Sequence, residues 1–111
     1  MMDERERRIG LNEAMFRQVN ESVRDISSDF EVPEFEIVCE CGDLNCTDRI
    51  QVRHAAYEAL RSESHQFAVI PGHEIPDVET VIADESTYYV VRKDAPEARV
   101  LAERTDPNTQ P

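Results

Sequence analysis

The chain is poor in basic residues, glycine and aromatics, and it has no tryptophan. Its 111 residues hold 12 Lys and Arg against 24 Asp and Glu, a formal charge of −12, with three Gly and 6% aromatics. A face that holds phosphates or anionic lipid needs an excess of Lys and Arg, so the composition argues against nucleic acid and membrane surfaces as partners. A protein partner with a basic surface fits better. The acid runs from Asp3 and Glu4 to Glu103 and Asp106, leaving no basic half to act as a binding arm. No apolar run approaches the roughly 20 residues of a membrane span. The start, Met1 to Arg8, is charged with no apolar segment behind it, which predicts a cytoplasmic protein. The three cysteines are an odd number crowded into a short segment, which fits a reducing compartment better than a secreted disulfide framework. At this length one domain is expected, with a core small enough that a cross-link would matter.

What is present divides into clear segments. From Asp3 to Ser28, Leu11, Met15, Phe16, Val19, Val23 and Ile26 recur at helical spacings with no Pro, predicting an amphipathic helix whose apolar stripe packs on the core. Arg5, Arg7 and Arg8 form a basic cluster that neighbouring acids cancel. After Pro33 the period changes to two. Phe35, Ile37 and Cys39 fall on one face of a strand, with Glu34, Glu36, Val38 and Glu40 on the other. Arg49 to Arg53 alternates likewise and returns beside it, making a hairpin whose tip is Cys41 to Cys46. His54 to Glu63 reads as a second helix, and Gln66 to Ile70 as a buried strand ended by Pro71-Gly72. Asp77 to Ala83 and Thr87 to Lys93 read as a second hairpin, the former also compatible with helix. The end holds a weak apolar cluster at Val100-Leu101-Ala102, then a flexible tail over 105–111. The expected architecture is α+β: one domain over 1–104 with an N-terminal helix, a small antiparallel sheet carrying a zinc knuckle, and a second short helix.

The knuckle is the most specific feature. Cys39-Glu40-Cys41-Gly42-Asp43-Leu44-Asn45-Cys46 places three thiols around a polar turn where no core is expected. A tetrahedral Zn²⁺ takes four N or S donors, and Cys39 and Cys41 on the same side of a strand end can both reach one ion. Gly42 suits a backbone that curls around the metal. The fourth ligand comes from elsewhere. His73, held after the Pro71-Gly72 turn, is the best placed, with His54, His65, a carboxylate or water as alternatives. Mixed thiolate and imidazole sets favour zinc, and three cysteines are too few for a four-thiolate iron–sulfur cluster. A thiol redox switch and inert cysteines are the other readings of the same residues.

Signals for catalysis are weak. His73-Glu74 begins like an H-E-x-x-H helix, yet Asp77 stands where the second histidine belongs and Pro76 would break the helix. The deaminase order of H-x-E before P-C-x-x-C is absent, as are dinucleotide, phosphate-loop and nucleophile-elbow patterns. The expected role is therefore a non-enzymatic protein-interaction or regulatory module. The alternatives are a thiol and zinc redox sensor, and a zinc-dependent hydrolase with Glu74 as base.

Arg8-Ile9, Asn12-Glu13-Ala14, Phe16 to Glu21, Phe35 to Gly42, Cys46-Thr47, Tyr57-Glu58 and Pro71-Gly72-His73-Glu74 together resemble a family of small bacterial proteins without an assigned activity. The resemblance spans about Arg5 to Pro107. In that family the C-E-C-G and P-G-H-E motifs occur together, which implies Cys39, Cys41, Cys46 and His73 as the metal set and lowers His54 and His65.

Overall fold

The computed structural model describes residues 2–109 of the chain. Helix α1 (Glu4–Asp29) opens on Asp3, whose carboxylate accepts the Glu6 amide at 2.8 Å. It ends in a Schellman motif. Glu31, at φ 54, donates to the Ser28 carbonyl, and Val32 donates to Ser27. Strands β1 (Glu34–Val38) and β2 (Arg49–Arg53) then form the expected antiparallel hairpin, with Phe35 opposite Val52 and Ile37 opposite Ile50. All four of these apolar residues are buried, and the charged residues between them face outward, as alternation requires.

Helix α2 (His54–Arg61) follows without a linker, and strand β3 (Gln66–Val69) enters a second sheet. There β4 (Glu79–Asp84) and β5 (Tyr89–Lys93) form a hairpin with a bulge between Val81 and Ala83, and β5 lies between β3 and β4. All pairings are antiparallel. The two sheets meet where Glu40, just past β1, donates its amide to the Ala68 carbonyl at 2.8 Å. The fold is α+β, and the segment from Asp77 to Ala83 ends in strand rather than helix. The apolar core lies between the sheets and α2, built on Phe35, Ile37, Ile50, Tyr57, Phe67 and Val91.

Three expectations are corrected. Most of the apolar stripe of α1 does not pack on the core: Leu11, Met15, Val19 and Ile26 are exposed and Phe16 is half-buried, while Val23 packs against the core's edge. The buried face carries Ile9 and Ala14 with Glu13, Arg17, Asn20 and Glu21. These polar groups have partners inside. Arg17 donates to the Ser64 and Ala102 carbonyls, each at 2.7 Å, and lies 4.8 Å over the Phe67 ring. Asn20 both donates to and accepts from the Val38 backbone at 2.8 Å, and Glu21 accepts the Tyr57 hydroxyl at 2.9 Å. Burial is thus decided by hydrogen-bond partners waiting on other elements, which periodicity within one helix does not reveal.

Second, the weak cluster at Val100-Leu101-Ala102 belongs to a third helix, α3 (Pro96–Arg104). Pro96 starts it at a position where a missing amide costs nothing, and Ala98 and Ala102 bury one face. Its Leu101 reaches α1 at Gly10, where a Cβ would stand 2.8 Å from the Leu101 side chain. Third, the segment expected to fray from Thr105 is tied down in its described part. Thr105 accepts from Arg17, Asp106 is buried and accepts from Ser64 at 2.6 Å, and Pro107–Thr109 forms a 3₁₀ turn. The last two residues lie outside the described ones.

Candidate metal centre

Beyond β1 the alternation of the strand continues through Cys39-Glu40-Cys41, and this sorts three side chains between two environments. Glu40 turns into the protein and is fully buried. It accepts from Asn20 at 2.8 Å and from the Ala68 amide at 3.0 Å, and it pairs with the buried Arg61. Cys39 and Cys41 turn to the other side, toward the Pro71-Gly72 turn after β3. That turn is closed by a 2.9 Å bond from the His73 amide to the Ile70 carbonyl, with Gly72 at φ 98. Proline followed by a left-handed glycine is the pairing a type II turn requires. Between Cys41 and Cys46 the Asp43 carboxylate accepts the Asn45 amide at 2.9 Å and its carbonyl accepts the Cys46 amide at 3.0 Å, bending the chain back.

These two turns bring Cys39, Cys41, Cys46 and His73 together, with one donor atom from each within 4.8 Å of all the others. The imidazole Nδ1 stands 3.6 Å from Cys39 Sγ and 3.5 Å from Cys46 Sγ. A tetrahedron with metal–sulfur bonds of about 2.3 Å and a metal–nitrogen bond of about 2.0 Å has an S···N edge of about 3.5 Å. The donor set therefore fits a metal ion in spacing and in number. All three cysteines are free, so no disulfide competes for the sulfurs. Among the described residues this is the group of His, Cys, Asp and Glu side chains close enough together to hold a metal ion. A Cys3His group of this geometry could hold a metal ion.

The electrostatics favour deprotonation of one thiol. Hydrogen bonding from Cys39 pulls the Cys41 thiol down to about 5, and the same bond, with burial, pushes Cys39 up. Burial likewise raises Cys46. Cys39 Sγ also accepts the Ile70 amide at 3.3 Å, a contact that stabilises sulfur carrying negative charge. Behind the imidazole, His73 Nε2 lies 3.4 Å from Asp48 Oδ2. A carboxylate at the far nitrogen orients a ligating histidine and makes it more basic. Sequence reasoning missed Asp48, because only the hairpin's return brings it behind His73.

His54 and His65 are not part of the cluster. His54 sits 2.7 Å from Ser28 Oγ and edge-on to Phe35, and His65 sits 2.7 Å from Glu103. Glu74 accepts the Gly72 amide at 2.7 Å, so its carboxylate braces the turn. The role expected of Gly42 changes as well. Its backbone is not left-handed; a Cβ there would meet Ile9 at 2.8 Å and Ile75 at 3.2 Å, so the position needs closeness rather than unusual torsion. Its carbonyl accepts Asn12 Nδ2 at 2.8 Å, tying the knuckle to α1. Cys41 and His73 line an open hollow of about 390 Å³ with Gly42, Asp43, Glu74 and Ile75, which gives solvent access to one side of the site. Among the described residues no helix is long and apolar enough to cross a membrane.

No protein-family model, no curated protein and no solved structure matches this chain.

Proposed function

We propose that Cys39, Cys41, Cys46 and His73 bind Zn²⁺ and that the ion is structural, locking the knuckle after β1 to the turn after β3 in a small cytoplasmic protein-interaction or regulatory module. The observation that carries this reading is the convergence of four donors, three of them sulfur, within 4.8 Å of one another, with two S···N separations of 3.5 and 3.6 Å at the length of a tetrahedral edge. Four protein donors leave no position for a reacting water, and thiolate with imidazole is the ligand mixture that zinc favours among common divalent ions. When bound, the ion would supply a cross-link between distant segments and charge to neutralise the thiolates. Asp48 would hold the imidazole, and the Ile70 amide would hold Cys39. The engagement of Glu74 with the Gly72 amide speaks for the structural role over the hydrolase alternative. The acidic surface suits a protein partner with a basic face.

Native mass spectrometry and elemental analysis of the purified chain should find one zinc per chain, and chelator should remove it with loss of cooperative unfolding by circular dichroism. A metal-free native mass with an unchanged melt would sink the proposal. The half-exposed Cys46 supports a second reading, a sensor whose metal leaves on oxidation. Hydrogen peroxide would take two electrons from two thiolates to form one disulfide and, with two protons from solvent, two waters, and the site would lose two of its sulfur ligands and with them the ion. Thiol counting after mild peroxide decides it: three thiols and retained metal dismiss the sensor.

A further inference from the structure

The outer face of α1 carries a row of apolar side chains, and none of the described residues covers it. Leu11, Met15, Val19 and Ile26 share one side of the helix, diametrically opposite the face buried on β1 and α3, with exposures of 39, 49, 44 and 60%. Phe30, at the helix end, is 75% exposed. The stripe runs over about 28 Å at 1.5 Å per residue. A contiguous apolar surface of this kind marks an interaction site.

The charges that frame the stripe say what fits on it. The N-terminal end of α1 mixes Glu4 and Glu6 with Arg5, Arg7 and Arg8, of which Arg8 lies in line with the stripe, while the C-terminal end carries Asp25 and Asp29, followed by Glu31. The last turn has no basic residue, so acids stand at the negative end of the helix dipole. Asp25 is paired with Arg24 at 2.9 Å, but Asp29 and Glu31 have no ion-pair partner among the described residues. Among the described residues Arg8 is ion-paired with Glu4, at 3.8 Å and well exposed to solvent, a contact weak enough to yield to another partner.

We propose that the stripe is the contact face of a homodimer in which two copies of α1 pack antiparallel. In that register Leu11 meets Ile26, Met15 meets Ser22 and Arg8 meets Asp29, all at once and twice over by the two-fold axis. A parallel copy would set Arg8 against Arg8 and Asp29 against Asp29. The antiparallel arrangement instead places Arg8 of each copy on Asp29 of the other and opposes the two helix dipoles. The charge of −12 on each copy opposes association only over about a Debye length, roughly 8 Å at physiological salt. Salt thus screens the distant acids of each copy, and the charges at the seam itself decide the register. The proposal does not depend on the metal reading, since none of the donors lies on α1.

Sedimentation equilibrium of the purified full chain, from micromolar to millimolar concentration, tests this directly. Wild type should shift reversibly from monomer to dimer, and Met15→Glu should remain monomeric with an unchanged circular dichroism spectrum. Arg8→Asp and Asp29→Arg should each weaken dimerisation about tenfold or more, and the double variant R8D/D29R should recover most of the loss. Recovery reads the register itself, because variants that merely disturb folding would compound. A wild type that stays monomeric throughout, a dimer indifferent to Met15→Glu, or a double variant no better than the singles would each overturn the proposal.

Discussion

Helix α1 and strand β1 pack against each other, yet they bury themselves by opposite rules. Strand β1 puts Phe35 and Ile37 inside and Glu34 and Glu36 outside. Helix α1 puts Glu13, Arg17, Asn20 and Glu21 inside and Leu11, Met15, Val19 and Ile26 outside. The strand's inner residues need only apolar neighbours, which any element can provide. The helix's inner residues need specific partners, and Val38, Glu40, Tyr57, Ser64, Lys93 and Ala102 provide them. Such a network specifies one arrangement, because each polar group left alone inside costs about 1 to 3 kcal/mol. Periodicity thus shows which residues share a face, and the partners on other elements decide which face goes in.

The contrast can be broken from either side. The largest expected effect is at the knuckle, where the proposed zinc would contribute on the order of 10 kcal/mol to folding. Cys41→Ser should abolish cooperative thermal unfolding followed by circular dichroism; a melt like wild type would show that the polar and apolar cores suffice alone. Next, Glu40→Ala leaves Arg61, Asn20 and the Ala68 amide without their acceptor and should cost about 3 to 5 kcal/mol in urea unfolding. Ile37→Ala, on the apolar side of the same strand, should cost about 2 to 5 kcal/mol by cavity formation. If Glu40→Ala proves the milder, the polar network contributes less than the shape of the core.

A pH experiment separates the two cores further. Lys93 is buried between Glu13 at 2.9 Å and Glu79 at 3.3 Å, and Glu13 Oε2 has no partner. Burial pushes the Glu13 carboxyl well above its usual 4.5, so between these values the folded protein holds a proton that the unfolded chain releases. Stability from this group is complete below about 4.5 and is lost as pH rises through the higher folded value. Glu13→Gln should therefore gain stability relative to wild type as urea unfolding is repeated from pH 5 upward. A constant difference would show that Lys93 holds Glu13 ionised. The smallest effect belongs to the outer face: Val19→Ser should change the stability of the monomer by no more than about 0.5 kcal/mol.

The parts legible in the sequence are those where one segment carries the whole signal. The alternation of β1 and β2 placed both strands and their hairpin, and the spacing of Cys39, Cys41 and Cys46 with the turn before His73 marked the donors that the fold assembles. Features that depend on a meeting of distant segments were not legible. Asp48 acquires its place behind His73 only when the hairpin closes. Gly42 is needed because Ile9, far away in sequence, fills the space a side chain would take. Helix α3 is nine residues with two small buried alanines, too short for its period to stand out before Leu101 is set against Gly10.

The side chain of Asn20 does for β1 what a neighbouring strand would do. Cys39 donates toward β2, to the Asp48 carbonyl, while Val38 and Glu40 direct their amides to the opposite edge. At Glu40 that edge is met by Ala68 of β3, and at Val38 it is met on both backbone groups by one asparagine amide. Before that point Glu34 and Glu36 stand exposed beside the remaining open length. An unpaired strand edge is a template for another chain, and charge or cover along it prevents misplaced growth into aggregates. The inward polarity of α1 is thereby also a guard against aggregation, closing a two-stranded sheet that has no third strand of its own.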